Sequence, residues 1–130
     1  GTATYNGGLS AIVTDAQSIK STASGTANLT LDFDTQTFTG TIDVNSAAFK
    51  ADVAGSVSKY GFNASSVTKN VGSSADVTGG SMSGNFYGSS AEAVGGNFGL
   101  SSSDAGSVSG TFGLKKWSRR LMYLTKMMIS

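Results

Sequence analysis

The sequence predicts an all-β domain, a barrel or sandwich of eight or nine short strands, and three observations lead there. Apolar and polar residues alternate with period two along most of the chain. Gly, Ser, Asn and Asp punctuate it at roughly 8 to 12 residue intervals, the spacing of short antiparallel strands. Glycines alternate with phenylalanines on the apolar faces, and no long helical periodicity interrupts residues 1 to 114.

Taken in order, Ala3 and Tyr5 alternate against Thr2 and Thr4, and beyond "NGG", which reads as a turn, Leu9, Ala11 and Val13 follow. In "ANLTLDF" the residues Ala27, Leu29, Leu31 and Phe33 share one face, opposite Asn28, Thr30 and Asp32. The turn "DTQT" leads into Phe38, Gly40, Ile42 and Val44, opposite Thr39, Thr41 and Asp43, so residues 27 to 44 read as a hairpin. Ala47, Phe49, Ala51 and Val53 then oppose Ala48, Lys50 and Asp52, and Tyr60, Phe62 and Ala64 precede the loop "KNVGSSAD".

Three further strands share one grammar: Met82, Gly84, Phe86 and Gly88; Val94, Gly96, Phe98 and Leu100; Val108, Gly110, Phe112 and Leu114. In each, a Gly precedes a Phe on the apolar face. A Gly inside a strand costs about 0.5 to 1 kcal/mol relative to Ala, so its repetition needs a cause. Small residues alternating with large ones suit the inner wall of a small closed barrel, whose strands coil sharply.

Composition removes whole classes of chemistry. With no Cys and no His among 130 residues, a disulfide framework, a thiolate nucleophile, a Ser/His/Asp triad and a histidine-bound haem or zinc are all excluded. Residues 1 to 116 hold six lysines against eight acidic residues, a net −2, while Arg119, Arg120 and Lys126 add +3 beyond them. An Arg-free, mildly acidic body is not a phosphate-tracking surface, so nucleic acid is not an expected partner. No stretch of about 20 apolar residues is present to span a membrane as a helix. The start "GTATYNGG" has no basic region or apolar signal core and reads as a mature or excised piece.

The stretch "GNFYGSSAEAVGGNFGL", Gly84 to Leu100, followed by "SGTFGLKK", resembles the C-terminal signature of transferrin-binding protein B-like β-barrel domains, G-x-F-Y-G-P-x-A-x-E-x-G-G-x-F and then F-G-A-K. The residues involved are Gly84, Phe86, Tyr87, Gly88, Ala91, Gly95, Gly96, Phe98, Phe112, Gly113 and Lys115, with Glu92 in the same segment. "GTATYNG" and "SGTANLTLDFDTQTFTGTIDV" are similar to the family's opening strand and hairpin, so the likeness covers most of residues 1 to 116. Ser89 replaces the usual Pro, Ala93 the common Glu, and Leu114 the Ala. The resemblance implies an eight-stranded up-and-down antiparallel barrel, held on or released from a Gram-negative outer membrane surface. Such relatives bind transferrin, haem or haemoglobin, or complement regulators, mostly through loops or a handle domain. The expected partner is therefore a host iron carrier or another host protein, and the expected role a non-catalytic binding module. A rigid barrel domain of a larger surface lipoprotein or adhesin is the alternative.

Among individual residues, the glycine-rich segments lack G-x-x-x-x-G-K-[ST] and a strand-to-helix context, and read as structural. Asp32, Asp34 and Asp43 fall on outward or turn positions and read as solvated. Glu92, the one Glu, reads as ordering the segment between two strands before it reads as a cargo contact; Tyr87, an aromatic on a polar face, is the other contact candidate. No metal site or catalytic residue is expected, and no cofactor. Haem would need Tyr5, Tyr60, Tyr87 or Met82 as axial ligand, and Met82 reads first as core filler. The interior is either filled by phenylalanines or holds one small ligand.

Residues 117 to 130 break the pattern. Trp117, Leu121, Leu124 and Met128 recur at helical spacing in a basic, Met-rich tail. It reads as an amphipathic helix that docks on the body, a partner or a membrane surface, or as an extension foreign to the barrel.

Overall fold

A computed structural model describes residues 1–117. Eight strands follow one another: β1 (Thr2–Thr14), β2 (Lys20–Asp32), β3 (Thr37–Val44), β4 (Phe49–Val57), β5 (Gly61–Lys69), β6 (Val77–Tyr87), β7 (Ala93–Ser102) and β8 (Ser107–Lys116). Each pairs antiparallel with the next, and β8 returns to β1, closing an up-and-down barrel. Closure removes the unpaired edges that an open sheet of this size would expose. Of the tail expected over residues 117–130, Trp117 is described, exposed and with its amide donating to Thr4 O at 2.7 Å, while Leu121, Leu124 and Met128 lie outside the described residues.

Period two places the core. Ala27, Leu29 and Leu31 of β2 and Phe38, Ile42 and Val44 of β3 all point inward and are buried, as do Val94, Phe98 and Leu100 of β7 and Val108, Phe112 and Leu114 of β8. The register then explains the glycines, because each of four inward phenylalanines lies directly across from a Gly: Phe38 from Gly55, Phe62 from Gly84, Phe98 from Gly110 and Phe112 from Gly96. Two of these glycines seat a ring. A Cβ on Gly84 would stand 2.7 Å from Phe62 Cζ, and one on Gly110 would stand 2.6 Å from Phe98 Cε1. At Gly55 and Gly96 the missing Cβ instead clears a neighbouring strand, where it would overlap the carbonyl oxygens of Asn63 and Ser83. Phe62 is the hub of the aromatic packing, 5.1 Å from Phe38 in an edge-on contact, 6.1 Å from Phe112 and 6.5 Å from Phe86.

Four expectations need correction. The "NGG" segment is not a turn: β1 runs unbroken through it, and Gly7 allows close approach of β8, since a Cβ there would lie 2.9 Å from Leu114 Cα. Tyr60 does not face inward. It sits in the β4–β5 turn and is 72% exposed, while a bulge at Ser65 moves the inward parity of β5 from Val67 to Ala64 and Phe62. Ala47 and Gly88 leave their strands for turns with φ of 68° and 89°. Phe33 lies just past β2, half-exposed, although its ring still packs 6.0 Å from Phe86.

One end of the barrel is stoppered by the β5–β6 loop. Ser73 is buried, with its hydroxyl donating to Ala75 O at 2.8 Å and accepting from Lys50 N at 3.0 Å. The amides of Ser74 and Ala75 donate to the carbonyls of Ala47 and Ala48, and Ala75 is buried beneath them. With this loop below and the phenylalanines across the middle, inner side chains fill the barrel.

Candidate functional site

The opposite end, here called the mouth, gathers Gly1, Trp117 and three turns: residues 33–36, 58–60 and 88–92. Each turn is fixed by its own short polar side chains. Asp32 Oδ1 accepts from Asp34 N at 2.9 Å and Thr35 N at 3.1 Å, an Asx-type turn, and these backbone donors hold its carboxyl below the ordinary aspartate range. The terminal amine of Gly1 pairs with Asp34 at 2.9 Å. In the second turn, Ser58 Oγ accepts from the amides of Tyr60 and Gly61, leaving Tyr60 projecting with Lys59 Nζ 5.2 Å from its ring centroid.

The third turn is the segment between the two Gly-x-Phe copies. Gly88 takes a φ that favours glycine, and a Cβ there would overlap Glu92 Oε2. Ala91 is also left-handed at 54°. Glu92 orders the segment: its Oε1 accepts from Ser90 N at 3.2 Å, and its carbonyl accepts from Lys116 N at 2.8 Å. From inside the barrel, the fully buried Tyr5 reaches up and donates its hydroxyl to Ala91 O at 2.7 Å. Burial, with the Glu92 carboxylate adding to it, pushes the Tyr5 phenol above its ordinary value.

Between the second and third turns opens a cleft of about 410 Å³, lined by Phe33, Lys59, Tyr60, Phe86 and Ala91 among others. It offers exposed aromatic surface and one cation, Lys59. Exposed aromatic rings, tyrosine above all, are enriched where proteins recognise one another. Among the described residues, no pair of acid–base groups converges there.

The sequence candidates divide between three places. Gly84, Gly96, Phe98 and Phe112 belong to the packed interior, and Phe86 bridges the interior and the mouth, 6.4 Å from Tyr5. Gly88, Ala91 and Glu92 form the mouth turn. Tyr87, Gly95, Gly113 and Lys115 lie on the outer wall, where the Tyr87 ring covers Gly95, its Cε2 3.3 Å from where a Cβ would be. Tyr87 is 56% exposed and Glu92 is exposed, but they lie on different surfaces, wall and mouth. Of the tyrosines and methionine named for haem, Tyr5 and Met82 are buried and Tyr60 and Tyr87 exposed. The cleft residues Phe33 and Lys59 were not foreseen as partners, because three turns separated in sequence supply them.

The family model for the C-lobe and N-lobe beta barrels of Tf-binding protein B matches residues 1–116. Among solved structures, transferrin-binding protein B of serogroup B Neisseria meningitidis superposes with a TM-score of 0.70 at 19% identity, covering 90% of this chain and 25% of that one. A variant of the same protein from Haemophilus parasuis Hp5 gives 0.66 at 19% identity, covering 92% and 27%. One from Actinobacillus pleuropneumoniae H49 gives 0.60 at 18% identity, covering 90% and 62%. The chain thus spans about a quarter of the first two relatives. A search of curated protein sequences finds no match.

Proposed function

The chain belongs to the family of C-lobe and N-lobe β-barrels of transferrin-binding protein B, and from that premise we propose that it is a non-catalytic binding module, displayed on or released from a Gram-negative surface, that engages a host iron-carrying protein. The observation that supports this most is the mouth cleft standing over a filled barrel. The inner side chains form one buried cluster, whereas Tyr60 and Phe33 at the mouth offer exposed aromatic surface of the kind that protein interfaces enrich. Tyr87, on the adjoining wall, extends it.

Haem is the second cargo we consider, as a bound substrate and not a resident cofactor. Among the described residues, Tyr60 is the tyrosine the mouth exposes beside Phe33 and Phe86, so ligation would fall to its side-chain oxygen.

The test is retention of host proteins from serum by the immobilised full chain, followed by titration with purified transferrin, haemoglobin and haem. Specific retention of an iron carrier, weakened at least about tenfold by Tyr60→Ala with Lys59→Ala, supports the proposal. Absence of any retained host protein together with no Soret shift refutes it, and leaves the barrel as a rigid domain of a larger surface protein.

A further inference from the structure

We propose that the Tyr5 hydroxyl is the positioning group of the mouth: it holds the β6–β7 turn in the shape that presents Glu92 and lines the cleft, and the barrel itself does not need it. This deepens the binding reading above and rests on it for its functional consequence.

Tyr5 lies inside the barrel on β1, paired with Leu29 and Lys116 across its two neighbours, and its ring is already buried by packing against Phe86. Among the described residues its hydroxyl makes one hydrogen bond, to Ala91 O at 2.7 Å, across 86 residues of sequence. Ala91 needs such a partner, because an alanine at φ of 54° is in a region L side chains disfavour. The ties within the turn are long, Ala91 N to Gly88 O at 3.3 Å and Ser90 N to Glu92 Oε1 at 3.2 Å, and the short bond from Lys116 N to Glu92 O at 2.8 Å holds the end next to β7 without touching Ala91. Without the hydroxyl, the Ala91 carbonyl loses its buried donor and the residue is free to relax to negative φ. That rotation re-aims Ser90 and Glu92 and moves the Ala91 wall of the cleft. The ring, which supplies the apolar contact, is untouched.

Tyr5→Phe therefore separates positioning from packing, and Ala91→Gly supplies the rescue. Glycine adopts the left-handed conformation freely, so in its background the turn keeps its shape with no hydroxyl. Amide hydrogen exchange on the full chain reads the result directly. Tyr5→Phe is expected to speed exchange at Ser90 and Ala91 about fivefold, the size of one neutral hydrogen bond, relative to core amides such as Leu29 and Ile42. In the Ala91→Gly background the added effect of Tyr5→Phe on Ser90 is expected to fall below about twofold. For a host protein that the unaltered chain retains, Tyr5→Phe is expected to weaken binding about fivefold and Ala91→Gly to leave it within twofold. Equal exchange in Tyr5→Phe and the unaltered chain overturns the proposal, as does altered exchange with unaltered affinity. Failure of the unaltered chain to retain any host protein counts against the binding reading alone, since the exchange comparison still decides the latch.

Discussion

Replacing Gly110 by alanine puts a methyl group 2.6 Å from Phe98 Cε1, 2.8 Å from Phe98 Cζ and 2.5 Å from the Ser10 carbonyl oxygen. The ring is held by the core and the carbonyl belongs to a paired strand, so neither yields freely. Overpacking of this kind costs about 1 to 3 kcal/mol. The lower entropy of the unfolded alanine chain offsets about 0.4 to 1 kcal/mol, leaving a net loss near 1 to 2 kcal/mol. With an unfolding entropy of about 2.1 cal/mol/K per residue over residues 1–116, that lowers Tm by about 4 to 8 °C. The control is Gly113→Ala, on the outer wall of the same strand, where no described residue lies within 4 Å of the new methyl. It should hold Tm or raise it. Calorimetric scans of the two variants beside the parent decide the matter: a Gly110→Ala barrel as stable as the parent, or a Gly113→Ala barrel that loses as much, would refute the ring-seat explanation of the glycines.

Phe98→Ala empties the seat from the other side and should cost about 3 to 5 kcal/mol, read by urea denaturation. Adding Gly110→Ala to it should cost less than in the parent barrel, because the ring no longer opposes the methyl and the Ser10 carbonyl oxygen alone still does. Tyr5 confers an alkaline dependence: its folded pKa is raised, so the stability of its neutral form is complete below about pH 10 and is lost as pH climbs through the folded value. Tm followed from pH 9 to 12 alongside tyrosinate absorbance should show this loss, and Tyr5→Phe should flatten it. Asp32 gives the opposite sign. Its folded pKa is lowered by the amides of Thr35 and Asp34, so its contribution is present above the unfolded value of 3.8 and lost as pH falls through the folded one. Asp32→Asn should therefore reduce the acid sensitivity of Tm below pH 4.

The strands most visible in the sequence were those whose inner faces carry large residues. Leu29, Leu31, Phe38 and Ile42 announce β2 and β3, and the three Gly-x-Phe strands announce β6 to β8. The first half of β2, Lys20 to Thr26, is a strand whose inner positions are Ser21, Ala23 and Gly25, too small to give an apolar alternation. Gly7 and Gly8 were misleading for a related reason: glycine marks a turn when it supplies unusual φ and marks a strand crossing when it lets backbones approach, and the letters are identical. Tyr60 shares the parity of Phe62 and Ala64, but β5 begins at Gly61, so Tyr60 falls in the β4–β5 turn, where alternation no longer sets which way a side chain faces. At the mouth, Glu92 and its turn were legible because their contacts are local. The Tyr5 to Ala91 bond and the cleft between Phe33, Tyr60 and Phe86 were not, since they join residues brought together only by barrel closure.

The most direct measurement of the central claim, a closed barrel whose phenylalanine rings seat on glycines of the next strand, is the proton NMR spectrum of Gly110 and Gly84. Ring seating predicts upfield-shifted Hα resonances at both, with nuclear Overhauser contacts to the Phe98 and Phe62 rings respectively. Random-coil Hα shifts and no ring contact at either glycine would contradict it.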